Sequence, residues 1–409
     1  MQLRARRVAA LGLAGSVLAV LAVGLPGPRA TAASAARTPA STAAAFPPLA
    51  PAALRAAIET RPGDDASGAV ARVGEPGEVW RGATVDSRTG RAIPRNAHFH
   101  IGSVSKVFET TVVLQLAAQG RIDLDRTVQD YLPGLLPDTF GPITVRELIT
   151  YTSGLPDVDE GKPADSVDDT IARRFDYRTF DEIVRGTLRP AGRPWPGPHF
   201  APGTKQEYNS LAFRIAGELI EHVTGRSFKQ EVTARILAPL RLEQTSVPER
   251  DPVMPRPYLH GYQIDSQGRT VDVSAQEGDP TSMISTPADL DRFLTALFRG
   301  RLLPPAQLTL MFTVPTDAQG RPLPFVGGTS CGPQACFGAG LMSTPLPGGG
   351  VLWGKTGHDA GYANGMFATR DLSVRGVYSV SDQSPDQSAP PPLASRLLAA
   401  VLTPQGTAG

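Results

Sequence analysis

Three short stretches of this chain carry residue types suited to acyl transfer. Ser103 and Lys106 lie three positions apart in Phe99–Phe108, which reads FHIGSVSKVF. On a helix, positions i and i+3 share a face, so the hydroxyl and the amine can meet. A lysine beside a serine can take its proton where the surroundings disfavour the ammonium form. The same spacing also describes a surface serine and a solvated lysine. Lysine is scarce here, however: the chain has five, against 40 Lys plus Arg, and two of the five fall in these stretches.

The second stretch is Tyr208-Asn209-Ser210, ahead of an amphipathic pattern. A tyrosine near lysines can accept and return a proton; the residues alone equally describe a turn in which Asn or Ser caps a helix. The third is Lys355-Thr356-Gly357 in a strand-like run. Its charge and hydroxyl suit an anionic substrate group, and glycine permits close backbone approach; alone, it also fits an ordinary hairpin strand. Gly349 to Thr356 matches the phosphate-loop pattern G-x-x-x-x-G-K-[ST]. That motif needs a helix starting at Lys355-Thr356, and the following GHDAGYANGM does not read as one.

The elements that must position these residues follow from periodicity. Leu49–Glu59 reads as a helix, and Gly68–Trp80 and Gly82–Arg95 as strands broken by Gly-Glu-Pro-Gly and by a turn at Thr89-Gly90. After Ser103 the pattern Val107, Phe108, Val112, Val113, Leu116 predicts a buried helix ending at Gly120. From Arg121 to about Pro304 the chain reads as mostly helical: Val145–Tyr151 is apolar and short, and helical patterns fall at Leu211–Thr224, Phe228–Leu240 and Ala288–Phe298, with another at Gln307–Phe312. Short strands are predicted at Phe337–Ser343, Gly350–Gly354, Gly361–Thr369 and Ser373–Ser381, then a helix over Pro391–Leu402. Strands at both ends with helices between predict an α/β fold. Residues 49–108 and 305–409 would form the α/β domain, and 109–304 an inserted, mostly helical domain.

Composition narrows the class. The 409 residues are 41% hydrophobic and 19% charged with net charge +1, which suits a folded protein and gives no electrostatic footprint for nucleic acid. Residues 1–32 read as a signal peptide: Arg4, Arg6 and Arg7, then a nearly uncharged run from Val8 to Leu25, then Ala30-Thr31-Ala32. The rival is an uncleaved anchor, since about 18 apolar residues just span a bilayer. Residues 33–48, rich in Ala, Ser, Thr and Pro, read as a linker. The expectation is a secreted monomer with no membrane span after cleavage. In that compartment Cys331 and Cys336, the only cysteines, read as a disulfide. The six histidines show no metal-ligand spacing, Asp157–Asp169 lacks the calcium-loop spacing, and Asp123 and Asp125 read as turn and cap carboxylates.

Taken in order, the three stretches resemble the penicillin-recognising serine hydrolases, in particular class C-type β-lactamases and secreted serine D-alanyl-D-alanine peptidases. The likeness extends through GRIDLDRTVQDYLPGLLP, ITVRELITYTSGLPD, FAPGTKQEYNSLAFRIAGELIEHVTGRSF and GKTGHDAGY. It implies a β-lactamase/transpeptidase-like fold, an antiparallel sheet flanked by helices, with no metal or cofactor. Ser103 would be the nucleophile, Lys106 the general base and Tyr208 a proton relay. Lys355, Thr356 and Gly357 would hold the substrate, and the N–H groups of Ser103 and His358 would form the oxyanion hole. The sequence departs from that family twice. Tyr208-Asn209-Ser210 replaces Tyr-Ser-Asn or Tyr-Ala-Asn, so Ser210 stands where an amide holds the substrate carbonyl, and Asn209 compensates only with a shifted backbone. No arginine precedes Lys355 in STPLPGGGVLW to bind a carboxylate. The resulting expectation is a D-alanyl-D-alanine carboxypeptidase acting on peptidoglycan peptides. Alternatives are a β-lactamase or carboxylesterase of the same fold, or a non-catalytic binder of muropeptides or β-lactams.

Overall fold

The computed structural model describes residues 47–158, 166–189, 197–327, 331–346, 349–384 and 391–402. The expected leader, nearly all of the linker and the middle of the acidic stretch Asp157–Asp169 lie outside the described residues. The chain begins with α1 (Pro51–Ile58), β1 (Ala66–Glu75), β2 (Glu78–Ala83) and β3 (Phe99–His100), then a 3-10 turn, Gly102–Val104, and α2 (Ser105–Ala118). The middle is mostly helical: α3 (Val128–Tyr131), α4 (Val145–Ile149), α5 (Val167–Ala172), α6 (Phe180–Leu188), the short β4 (Gln206–Glu207), α7 (Leu211–Thr224), α8 (Phe228–Val232), a π-helical turn Thr233–Leu237, and α9 (Ala238–Leu240). Then come β5 (Tyr262–Ile264), β6 (Thr270–Asp272), β7 (Ile284–Ser285), α10 (Pro287–Phe298), α11 (Pro305–Met311) and β8 (Phe325–Val326). The last segment holds β9 (Met342–Pro345), β10 (Val351–Asp359), β11 (Tyr362–Thr369), β12 (Arg375–Asp382) and α12 (Pro392–Leu402).

One antiparallel sheet in the order β2-β1-β12-β11-β10-β9 carries the architecture. Period-two alternation gives it two apolar faces. On one face Ala69, Ala71 and Val73 of β1 join Phe367, Val380 and the Leu54, Ile58, Leu393 and Leu397 side chains of α1 and α12. On the other, Val70, Met366 and Val377 join the larger core built around α2, α7 and α10.

An ion triad pins α10 to the second face. Asp291 accepts from Arg72 of β1 and Arg375 of β12, each at 2.7 Å, with all three side chains largely buried. Removing one partner from a buried cluster strands the remaining charges and costs about 3–5 kcal/mol. Asp291→Ala is therefore expected to lower stability by about 3 kcal/mol in urea unfolding; a change under about 0.5 kcal/mol would contradict this account.

The α/β class and most elements stand where the sequence puts them, and several boundaries move; the strand predicted over Gly350–Gly354 runs on through Lys355, Thr356 and Gly357 to Asp359. The strand predicted over Gly82–Arg95 ends at Ala83, with only an isolated bridge, Val85 to Ala92, beyond it. The tight turn at Pro76-Gly77, with Gly77 at φ 88°, makes Glu75 face Glu78 and sets β2 against β1. Of the strand predicted over Phe337–Ser343, pairing begins only at Met342. The predicted Phe228–Leu240 helix contains the π turn. Lastly, α10 lies on the sheet, so a boundary at 304 divides a layer from its cover.

Candidate active site

Ser103 sits in the 3-10 turn rather than at the first residue of a helix, and α2 starts two residues later. This turn is held by backbone proximity. Gly102 has φ 48°, and a Cβ there would lie 2.3 Å from the His358 carbonyl oxygen. A Cβ on Gly357 would lie 2.0 Å from the Ile101 oxygen and 3.1 Å from the Ser103 nitrogen. The glycine of the third motif thus lets β10 press against the turn that carries Ser103.

α2 is buried on nearly every side, which explains its weak amphipathicity. Its hydroxyls turn inward to its own backbone: Thr110 donates to the Lys106 carbonyl at 2.8 Å and Thr111 to the Val107 carbonyl at 2.7 Å. Lys106 is therefore delivered from a fixed helix. Its Nζ donates to Ser103 Oγ at 3.1 Å.

Tyr208 arrives from β4, which pairs in parallel with β8. The buried Gln206 amide anchors this strand. Its Nε2 donates to the Thr150 and Phe337 carbonyls at 2.9 and 2.8 Å, and its Oε1 accepts from the Cys336 and Phe337 N–H groups at 2.9 and 3.0 Å. Cys331 and Cys336 are joined in a disulfide just ahead of that contact. The Tyr208 ring stacks on Tyr151 with centroids 5.5 Å apart. Tyr151 is a bulky residue at φ 61°, an uncommon left-handed conformation. Its packing against Phe213 and Phe337, at 4.9 and 4.6 Å between centroids, holds it there.

The Tyr208 hydroxyl donates to Ser103 Oγ at 2.7 Å. Lys355 comes from mid-strand β10, opposite Met366. Its Nζ lies 4.7 Å from the Tyr208 ring centroid and donates to the Thr356 carbonyl at 2.8 Å. Lys106 Nζ lies 5.6 Å from the same centroid. Both lysines and the tyrosine are at most 4% exposed, so solvent does little to screen them. Burial pushes the Tyr208 phenol up, but the two ammonium groups and the bond to Ser103 outweigh it and bring it down to about 8. Burial lowers Lys355 from the usual lysine range. The result is one serine oxygen between two groups that can exchange its proton.

The other predicted residues divide. Thr356 borders the site, and its Oγ1 has no partner among the described residues. His358 brings its backbone to the Gly102 turn, while its Nε2 lies 3.2 Å from Asp382. Asn209 does not reach the site as a substrate ligand. It is buried; its amide donates to the Leu155 and Pro156 carbonyls at 2.8 and 2.7 Å, and its Oδ1 accepts from Ala212 N–H at 2.7 Å. It caps α7 and ties down the preceding loop, the turn-and-cap role the residues alone allow. Ser210 is anchored through its backbone N–H, which donates to Asp157 at 2.8 Å. The phosphate-loop alternative fails because Val351–Asp359 is one strand. Among the described residues, no group of three or more His, Cys, Asp or Glu could hold a metal, and no helix is long and apolar enough to cross a membrane.

Sequence reading overlooks three residues that shape this site. Gln206 and Tyr151 sit beside recognised motifs but carry no chemistry that marks them. Glu109 gives a signal, an acid in the otherwise apolar and hydroxylic run VFETTVV, and it lies fully buried one turn beyond Lys106.

Comparison with known proteins agrees with this geometry. The β-lactamase family model matches residues 54–401. Esterase EstB of Burkholderia gladioli is 30% identical over 347 residues, covering 75% of this chain and 84% of the esterase. Penicillin-binding protein 4 of Amycolatopsis lactamdurans is 31% identical over 168 residues, covering 39% of each chain. The structure of a D-stereospecific amidohydrolase from Streptomyces sp. superposes with a TM-score of 0.70 at 28% identity, covering 86% of this chain and 98% of that one. The chain belongs to the β-lactamase family and is a serine hydrolase of the penicillin-recognising type.

Proposed function

We propose that this protein is an exported hydrolase that forms an acyl-enzyme at Ser103 and cleaves small esters and amides. The observation that carries the reading is the placement of Ser103 Oγ, 2.7 Å from the Tyr208 hydroxyl and 3.1 Å from Lys106 Nζ. In this reading Ser103 Oγ attacks the substrate carbonyl and its proton passes to Lys106 or Tyr208. The N–H groups of Ser103 and His358 receive the oxyanion, each such donor being worth roughly 3 kcal/mol in other enzymes. Collapse breaks the bond to the alcohol or amine, which takes a proton from Tyr208. A water molecule then attacks the ester, gives its proton to the same base, and restores Ser103. Lys355 supplies positive charge beside Tyr208 and, with Thr356, faces an anionic substrate group. The leader-like residues 1–32 and the cysteine pair support export.

The ester and amide preference draws on the likeness to the esterase and the amidohydrolase. D-alanyl-D-alanine carboxypeptidase activity is the second reading, favoured by the likeness to a penicillin-binding protein. Asn209 weighs against it, because its amide is spent inside the fold and Ser210 offers no second one. A panel separates the readings: 4-nitrophenyl butyrate, D-phenylalanine amide, bis-acetyl-Lys-D-Ala-D-Ala and nitrocefin, each with wild type. Turnover of the ester or the amide at least tenfold above the other two, in kcat/KM, is expected. D-alanine release as the fastest reaction would replace this reading with the carboxypeptidase.

With Tyr208 held near 8, its phenolate grows in above neutrality. If that form accepts the Ser103 proton, ester kcat/KM should climb between about pH 6 and 9. A flat profile under single-turnover conditions would exclude Tyr208 as the titrating base.

A further inference from the structure

α2 carries a second ionisable residue that the acyl-transfer scheme leaves unused. Glu109 follows Lys106 by three positions, so the two side chains share a face of the helix. It is fully buried, and neither carboxylate oxygen has a partner in hydrogen-bond geometry among the described residues, the nearby Thr281 hydroxyl being directed to Asp279. A buried carboxylate in that condition is costly and rare, and it asks for a reason.

The charged and polar groups facing it come from three other elements. From α7, Arg214 faces it, and from the segment before β7, Asp279 and Thr281. Arg214 is already paired with Asp279 and donates to the Thr281 hydroxyl. The Thr281 proton goes to Asp279 at 3.0 Å. Although burial pushes Asp279 up, Arg214 and the Thr281 bonds hold it below the usual carboxylate range. So the arginine charge is matched without Glu109. After α4, Tyr151 also faces it; burial first, then the charges on Tyr208 and Glu109, keep that phenol protonated. Lys106, three residues back on the same helix, is the second cation whose charge reaches Glu109, after Arg214. Lys106 in turn neighbours the Tyr208 ring, which Lys355 also faces.

We propose that Glu109 is a positioning residue for the reaction at Ser103: three residues along α2 from Lys106, its buried carboxylate offsets the Lys106 ammonium and sets the pH at which the serine is activated. Burial, opposed by Arg214 and Lys106, pushes the Glu109 carboxyl up to about 7. It therefore competes with Tyr208, brought down to about 8, to release the first proton. When Glu109 loses it, the new negative charge makes the Tyr208 proton harder to release and the serine stays unactivated. When Tyr208 loses it, the serine is activated. Such coupled groups show shared, macroscopic titrations. Removing the carboxylate leaves Tyr208 to release that proton alone, which then happens at lower pH.

This inference rests on the reading of Ser103 as nucleophile, so wild type is first labelled with a fluorophosphonate probe. Failure of that labelling defeats the parent reading, a result distinct from any movement of the pH profile. The test is the pH dependence of kcat/KM for 4-nitrophenyl butyrate, normalised to labelled sites, in wild type, Glu109→Gln, Glu109→Met and Glu109→Asp. Met is close in volume and apolar, so it removes the charge even if the Gln variant does not fold. The acid limb is expected to move down by about one pH unit in each neutral variant that folds. It should stay within about 0.3 unit of wild type in Glu109→Asp, which keeps the charge. An unmoved limb in the neutral variants would overturn the proposal. So would an equal shift in Glu109→Asp, which would mark a packing role.

Discussion

Ser103→Ala is expected to lower ester kcat/KM by about 10⁴-fold or more and to abolish covalent labelling by a fluorophosphonate. The size follows from the geometry. Tyr208 and Lys106 both point their polar atoms at Ser103 Oγ, so removing that oxygen removes the acceptor both were built around. Fold stability should change by only about 1 kcal/mol, the usual scale for lost hydrogen bonds. Circular dichroism and urea unfolding would then show a folded, unreactive protein. Activity within tenfold of wild type would mean that the serine is not the nucleophile, and the acyl-enzyme reading would fall with it.

The second large effect is steric. Gly357→Ala places a methyl group 2.0 Å from the Ile101 carbonyl oxygen, where the obstacle is backbone and cannot rotate away. Gly357 does not have a positive φ, so the penalty isolates the close approach from conformational strain. Strand β10 and the Ser103 turn must separate. Overpacking of this kind costs about 1–3 kcal/mol, and a displacement near 1 Å at a reacting centre costs about 10²-fold in rate. Both losses are expected together, in urea unfolding and in kcat/KM per labelled site. Gly197→Ala, where the added carbon meets nothing within 4 Å and the backbone is not at positive φ, serves as a control. Wild-type rates in Gly357→Ala would show that the two segments do not need to touch.

Sequence reading reached as far as local chemistry reaches. Ser103, Lys106, Tyr208 and Lys355 were legible because each sits in a short motif and because lysine is rare in this chain. α2, β11 and β12 were legible from periodicity alone, whereas β10 was read only as far as Gly354. What stayed hidden depends on partners distant in sequence. Asn209 reads as a possible substrate ligand until the carbonyls of Leu155 and Pro156 claim its amide. Gln206 reads as an ordinary polar residue until four backbone groups from residues 150, 336 and 337 converge on it. The role of α10 turns on Arg72 and Arg375, which lie over two hundred and about eighty positions away. Glu109 was visible as an oddity in its helix, but its meaning required knowing that Arg214 already had a partner.

The order of strands in the sheet has a consequence for synthesis. β1 lies beside β12, and α1 packs against α12, so the first and last parts of the described chain close on each other. The nucleophile comes early and the strand that presses its turn into shape comes about 250 residues later. Such long-range closure is slow and completes late. A growing chain therefore carries Ser103, Lys106 and Tyr208 well before it carries an assembled centre. If that centre is the one that reacts, covalent labelling of Ser103 is expected only once the final strands dock, which would make reactivity a readout of completed folding.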